Sequence, residues 1–443
     1  MPFGGTAKDA DGRTVEARLL RQFVTLEGFD WKAVSTIAQG SWSGALKNIP
    51  TGGPYQLELR IAGTDAGATI QNVMVGDLWV LAGQSNMDGN ALLKDVEQPH
   101  PLVHSFDQAD HWLIAEEPLH NLPGAVDRVH WNRTANGPPQ RLEGDALRRY
   151  NARRTKGAGL GLPFAVEMVR RTGVPIGLIP CAHGGTSMAQ WDPALKDRGG
   201  DSLYGAMLRR VRAVGGKVSG VLWYQGESET HPATAAVFFE KFQGLVASIR
   251  EDFGQPDLPF YYVQISRYTN NDNIDSWNTI QELQRKAESA IPHSAMAVAI
   301  DLPQDDGIHI STLGLKRLGL RMAHLAQGLP RGPRPVSATL LPASATGWQS
   351  DVIRVSYSDV NGRLEAPDRI AGFTIHSSSG EPVPLIFETR VDPKDGSAVL
   401  LYLDASLPAG ATLRYGYGKD PYCNLLDSAD MAAPVFGPME VLR

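Results

Sequence analysis

From Val75 to about Gln327, short apolar runs alternate with longer stretches whose apolar residues recur at helical spacing, and few architectures satisfy that alternation. The runs lie at 77–81, 176–179, 218–224, 260–265 and 295–300. Between them, Ala165, Met168 and Val169 precede Gly173, and Leu203, Met207, Leu208 and Val211 precede Gly215. Val237, Phe238, Phe242, Leu245 and Ile249 precede Gly254, and Trp277, Ile280, Leu283 and Ala287 precede Pro292. Strands this short and this apolar must be covered on both sides, so the pattern predicts an α/β domain with a parallel sheet and helices on both faces. A last helix is predicted from residue 312 to about 327, with Ser311 as its cap.

The flanks have a different period. Up to residue 74 short apolar runs alternate with turn residues, as in Thr51-Gly52-Gly53-Pro54, which predicts a small N-terminal β module. The domain of alternating strands and helices then runs over 75–330, interrupted at 90–156 by a long stretch rich in Pro, His, Trp, Asn and Arg. That stretch exceeds an ordinary loop and is expected to lie as an insertion over the carboxyl edge of the sheet. Pro330, Pro333 and Pro335 mark a linker, after which runs at 352–357 and 398–403 predict a C-terminal β-sandwich-like module over 336–443.

Composition narrows the partners. The 443 residues are 42% hydrophobic and 20% charged, with a net charge of -6, so there is no basic surface of the kind that nucleic acid or an anionic membrane attracts. No run approaches the roughly 20 consecutive apolar residues that span a bilayer, and Met1-Pro2-Phe3-Gly4-Gly5 lacks the regions of a signal peptide. Compartment and oligomeric state stay open. Cys181 and Cys423 allow at most one bridge and fall in different modules, which excludes a disulfide framework.

In an open parallel sheet functional groups gather at the carboxyl ends of the strands, so the residues just beyond each run carry the functional signal. Gly83-Gln84-Ser85-Asn86-Met87 comes after the first, and Cys181-Ala182-His183-Gly184-Gly185-Thr186 just after the second. Gln225-Gly226-Glu227-Ser228 comes after the third, and Asp305-Asp306-Gly307-Ile308-His309 after the fifth. A serine hydroxyl needs a base to take its proton and amides to meet the oxyanion. Asp306 lies three residues before His309, close enough to orient the imidazole while its other nitrogen faces Ser85. The predicted chemistry is therefore attack of Ser85 on an ester carbonyl, with His309 as base and Asp306 as its orienting acid. The expected oxyanion donors are the Ser85 N–H, an N–H from Gly184 or Gly185, and the Gln225 amide. Asn86, Arg267 and Trp191 are candidate substrate contacts.

The blocks Gly83-Gln84-Ser85-Asn86-Met87, Gly184-Gly185-Thr186, Trp223-Tyr224-Gln225-Gly226-Glu227-Ser228 and Asp306-Gly307-Ile308-His309 resemble, in the same order, those of the sialate O-acetylesterase and carbohydrate esterase family 6 group of SGNH hydrolases. The resemblance implies a flavodoxin-like catalytic domain flanked by β-rich modules, no metal or organic cofactor, and removal of O-acetyl groups from carbohydrates. It implies the roles given above for Ser85, His309 and Asp306. Some relatives use the glutamate of the third block as the acid, which makes Glu227 a rival to Asp306 or an acceptor that orders the site.

Other readings stand beside this one. The chain is alternatively a carbohydrate-binding protein on an inactive core, or an esterase for other acetyl esters. Cys181 reads either as a thiol nucleophile or as a small buried apolar residue. His100, His104, His111, His120 and His130 crowd the insertion without the paired spacing of a zinc site and are expected at a solvated rim, with Trp112, Trp131 and Trp191 as candidate sugar platforms. Asn132-Arg133-Thr134 is a glycosylation sequon.

Overall fold

The computed structural model describes residues 2–131, 137–270 and 272–443; the sequon at 132–134 lies outside them. Among the described residues, nine strands and seven helices of the middle region position the site, in the chain order β1 (Asp77–Gly83), α1 (Ser85–Asp88), β2 (Ala91–Leu92), β3 (Val103–Phe106), β4 (Trp112–Ile114), α2 (Gly144–Ala152), β5 (Lys156–Ala158), α3 (Gly161–Thr172) and β6 (Ile176–Pro180). There follow α4 (Leu203–Ala213), β7 (Gly220–Tyr224), α5 (Pro232–Phe253), β8 (Phe260–Gln264), α6 (Ile274–Ala290), β9 (Ser294–Val298) and α7 (Thr312–Ala326).

The central sheet has seven strands in the order β4-β3-β6-β1-β7-β8-β9. All neighbours are parallel except the edge pair β3–β4. The five strands predicted from the sequence thus lie in the order 2-1-3-4-5 of a flavodoxin-like sheet. Their runs are apolar because they are covered on both faces: all five residues of β6 and of β7 are buried. The helix ends follow their residues. Gly173 and Gly254 close α3 and α5 in the left-handed conformation, and the Ser311 side chain accepts from the Gly314 N–H at the start of α7.

The stretch 90–156 corrects its expected position. Part of it extends the sheet sideways, since β3 adds a parallel strand beside β6 and β4 an antiparallel edge. Other parts of it border the cleft over the carboxyl ends: Asn90 at its start, the segment around His130 and Trp131, and α2 with β5. The apolar alternation of Val103 to Phe106 is too short to be told from loop until its neighbour is known.

The flanking regions are β-rich, as expected. The N-terminal part forms a five-stranded sheet around its own buried cluster of Ala17, Leu19, Leu46, Tyr55, Leu57 and Leu59. The C-terminal part forms an eight-stranded sheet whose core runs without a break into that of the middle region. Buried polar contacts fasten it: Arg334 pairs with Glu288 at 2.6 Å, Arg321 with Asp301 at 2.7 Å while its Nε donates to the Asp430 carbonyl, and Gln264 Nε2 donates to the Val435 carbonyl. Among the described residues no helix is long and apolar enough to cross a membrane.

Candidate active site

Gly83 ends β1 with a φ of +130°, and a Cβ there would lie 2.2 Å from the Tyr224 carbonyl oxygen. Only glycine lets β1 and β7 close together at this point. The Gln84 N–H donates to the same carbonyl at 2.8 Å, and the chain turns at once into α1. Ser85 is therefore the first residue of a single helical turn raised over the carboxyl end of the sheet. An N–H at that position has no acceptor within its own helix.

The loop before α7 meets it. Ser85 Oγ and His309 Nε2 are 3.0 Å apart, and His309 Nδ1 lies 2.9 Å from Asp306 Oδ2. The Asp306 carboxyl also accepts from the backbone N–H groups of Ile308 and His309 at 3.1 and 2.9 Å and from Lys156 Nζ at 3.0 Å. Partial burial opposes its ionisation, but the hydrogen bonds from the His309 side chain and backbone, from Lys156 and from Ile308 outweigh that and hold the carboxyl far below its usual range. Asp306 does not cap α7, because Ser311 does.

Asn86 joins the two halves. It is buried, its Nδ2 donates to Glu227 Oε1 at 2.8 Å and to the Ile308 carbonyl at 3.3 Å, and its Oδ1 accepts from the Ile310 N–H at 3.0 Å. It clamps the serine turn to the histidine loop, and its side chain is engaged away from any substrate, contrary to its expected contact role. Glu227 sits behind it, hydrogen-bonded to Asn86, with burial pushing its carboxyl up.

A cleft of about 1210 Å³ opens in front of Ser85. Asp88, Asn90, His130, Trp131, His183, Gly184, Gly185 and Thr186 line it, with Arg149, Arg153, Arg154, Lys156 and Arg198 around them. Three other expected site residues do not reach it. Gln225 is fully buried, and its Nε2 donates to the Thr186 carbonyl and to Glu229 Oε1. Trp191 is fully buried against Trp223, with its Nε1 on Thr186 Oγ1. Arg267 turns toward the C-terminal sheet, pairing with Asp420 at 2.7 Å and donating to the Ile300 and Leu302 carbonyls. Each comes after a strand end, yet Gln225 and Trp191 are packed into the protein and Arg267 is directed to Asp420, none of them toward the cleft. The two glycines divide. The Gly184 N–H donates to Asp88 Oδ2 at 3.2 Å, whereas Gly185, at a φ of +70°, faces open space.

The histidines and cysteines also sort themselves. His120 and His130 are buried rather than at a solvated rim: His120 Nε2 accepts from the Ala182 N–H, and His130 stacks on His183. Trp131 borders the cleft, while Trp112 lies on the β4 edge. Burial pushes the Cys181 thiol up to about 11, which keeps it protonated and unreactive. Among the described residues no three His, Cys, Asp or Glu side chains converge as metal ligands.

Asp88 and Glu117 are half-buried carboxyl groups, each pushed up to about 7 by desolvation against the opposing effect of Arg154 and of backbone N–H groups. Both keep protons that the unfolded chain releases above its ordinary carboxyl range of about 4. The unfolded state binds fewer protons between about pH 4 and about pH 7, so these two groups make the fold less stable as pH rises through that window. Glu117→Gln removes one of them. Thermal unfolding at a series of pH values is expected to show the variant gaining on the parent protein from about pH 4 to about pH 7 and no further above that. A difference independent of pH would contradict the assignment.

The sequence model of the family described as "SASA: Carbohydrate esterase, sialic acid-specific acetylesterase" matches residues 75–327. A probable carbohydrate esterase of Arabidopsis thaliana is 27% identical over 270 residues, which cover 56% of this chain and 88% of that protein. The sialate O-acetylesterase of Homo sapiens is 24% identical over 300 residues, so the chain spans only 55% of that relative. In three dimensions the crystal structure of a carbohydrate acetylesterase from Xanthomonas citri aligns over 98% of this chain and 94% of its own, with a TM-score of 0.68 at 22% identity. That likeness is one of fold and includes both flanking regions.

Proposed function

The chain belongs to the SASA family of carbohydrate esterases, and from that premise we propose that it is a serine esterase that removes O-acetyl groups from sugars, with Ser85 as nucleophile, His309 as base and Asp306 as its orienting acid. The observation that carries this reading is the unbroken line of contacts from Ser85 Oγ to His309 Nε2 at 3.0 Å and from His309 Nδ1 to Asp306 at 2.9 Å. The carboxylate accepts only, so Nδ1 holds the hydrogen and Nε2 presents its lone pair to the serine. Ser85 attacks the acetyl carbonyl as its proton passes to Nε2, and the imidazolium, stabilised by Asp306, returns that proton to the departing sugar hydroxyl. Water, activated by the same imidazole, then releases acetate. The Ser85 and Gly185 N–H groups are the backbone donors for the oxyanion, because that of Gly184 is held by Asp88.

The cleft favours an acidic sugar. Arg149, Arg153 and Arg198 line it and have no carboxylate partner among the described residues, in a protein whose net charge is negative. A sugar carboxylate gives such guanidinium groups charge-assisted hydrogen bonds. This makes O-acetylated sialic acids better substrates than neutral acetylated xylo-oligosaccharides. The test is acetate release across both classes and a simple aryl acetate, by the parent protein and by Arg149→Ala/Arg153→Ala. The double variant is expected to lose roughly tenfold or more in kcat/KM on the acidic sugar, the cost of one charged hydrogen bond, and little on the aryl ester. Equal losses on all three, or a preference for the neutral sugars, would reject the acidic substrate.

A further inference from the structure

Asn90 belongs to no motif, yet it stands beside the reacting atoms. Gly89 closes α1 with a φ of +98°, and a Cβ there would lie 2.4 Å from the Gly157 carbonyl oxygen. The turn so allowed carries the chain back along β5, where β2 pairs in antiparallel register. Two contacts then tie β2 to the region of His309: the Leu92 N–H donates to Asp305 Oδ2 at 3.0 Å, and Thr312 Oγ1 donates to the Leu92 carbonyl at 2.5 Å. Asn90 sits between the Gly89 turn and this anchored strand and lines the cleft. Its Nδ2 lies 3.0 Å from His309 Nε2, the same atom that Ser85 Oγ reaches at 3.0 Å.

Two donors therefore face one lone pair, which cannot take a full hydrogen bond from each. When the serine proton moves to Nε2, that atom becomes a donor, and the Asn90 N–H must leave it. At that moment the neighbouring carbonyl oxygen acquires negative charge. We propose that Asn90 is a catalytic residue of this esterase, its side-chain amide donating to the oxyanion in the place expected for Gln225, and passing from His309 to that oxygen as the proton transfers. Gln225 cannot fill the role while its Nε2 is engaged by Thr186 and Glu229 below the cleft. The transfer is a proton from Ser85 Oγ to His309 Nε2 with formation of the serine–carbonyl bond, and the electron pair of the C=O comes to rest on oxygen, where Asn90 meets it.

The proposal rests on the serine mechanism above and is tested apart from it. Asn90→Ala and the isosteric Asn90→Asp are compared with Ser85→Ala on an aryl acetate, over the full pH range of activity. Loss of one oxyanion donor costs about 10²–10³-fold in kcat with KM little changed, since the charge exists only in the transition state. If Asn90 merely held the neutral imidazole, its removal would move the acid limb of the profile to higher pH, and the rate would recover on the alkaline plateau. The expected result is a plateau lowered by that factor. A plateau at the parent level in either Asn90 variant, with Ser85→Ala inactive, overturns the role of Asn90 and leaves the serine esterase standing. Full activity in Ser85→Ala overturns both.

Discussion

Replacing Ser85 by alanine is expected to lower acetate release by roughly 10⁴- to 10⁶-fold, the largest effect of any single substitution in this protein, as removing the nucleophile does in serine hydrolases generally. The fold should survive the change. Ser85 Oγ makes its contact with His309 across the cleft, whereas the turn that bears it is held by the Gln84 N–H on Tyr224 and by the buried side chains of Asn86 and Met87. The variant should therefore match the parent in its unfolding temperature while losing turnover. Acetate release without protein, measured beside the variant, separates residual turnover from hydrolysis by water, which also yields acetate. Retained activity with an intact fold would remove Ser85, and with it the reading of His309 as its base.

The second largest effect is expected at Asp306. Asp306→Asn puts a donor where His309 Nδ1 needs an acceptor, which favours the tautomer whose Nε2 carries the hydrogen and cannot take the serine proton; the loss in kcat is about 10⁴-fold where this has been done to a buried acid of the same role. The rival acid gives the contrast. Glu227 Oε1 is joined to Asn86 Nδ2 at 2.8 Å, and Asn86 stands between it and the histidine loop. Glu227→Gln keeps an acceptor for Asn86 and should lose far less. Measured kcat values for the two variants decide the matter, and a larger loss in Glu227→Gln would transfer the acid's role to Glu227.

The placement of these groups shows where reading the residues in order succeeds. Strands β1, β6, β7, β8 and β9 are legible because each must be apolar on both faces, and a polar residue can enter only where the strand leaves the sheet. Ser85, Gly185 and His309 come after such exits. The same rule points to Gln225, Trp191 and Arg267, which come after strand ends as well but turn away from the cleft. Nothing in the order of residues tells an upward side chain from a downward one there, since the direction depends on backbone angles and on neighbours from distant segments. Asn90 is illegible for the same reason. It precedes a two-residue strand that exists only because Lys156–Ala158 lies beside it.

The amino-acid order alone determined the α/β alternation, the flanking β-rich regions and the blocks at the strand ends, because hydrophobic period and turn chemistry are local properties of the chain. Tertiary structure decided which polar groups share the cleft. Ser85 and His309 are 224 residues apart and meet only through the strand order of the sheet and the clamp of Asn86, while the arginines reach the cleft from a stretch without periodic signal. The physical reason is that a hydrogen bond has a length and a direction, and both are set by packing between segments that no local pattern encodes.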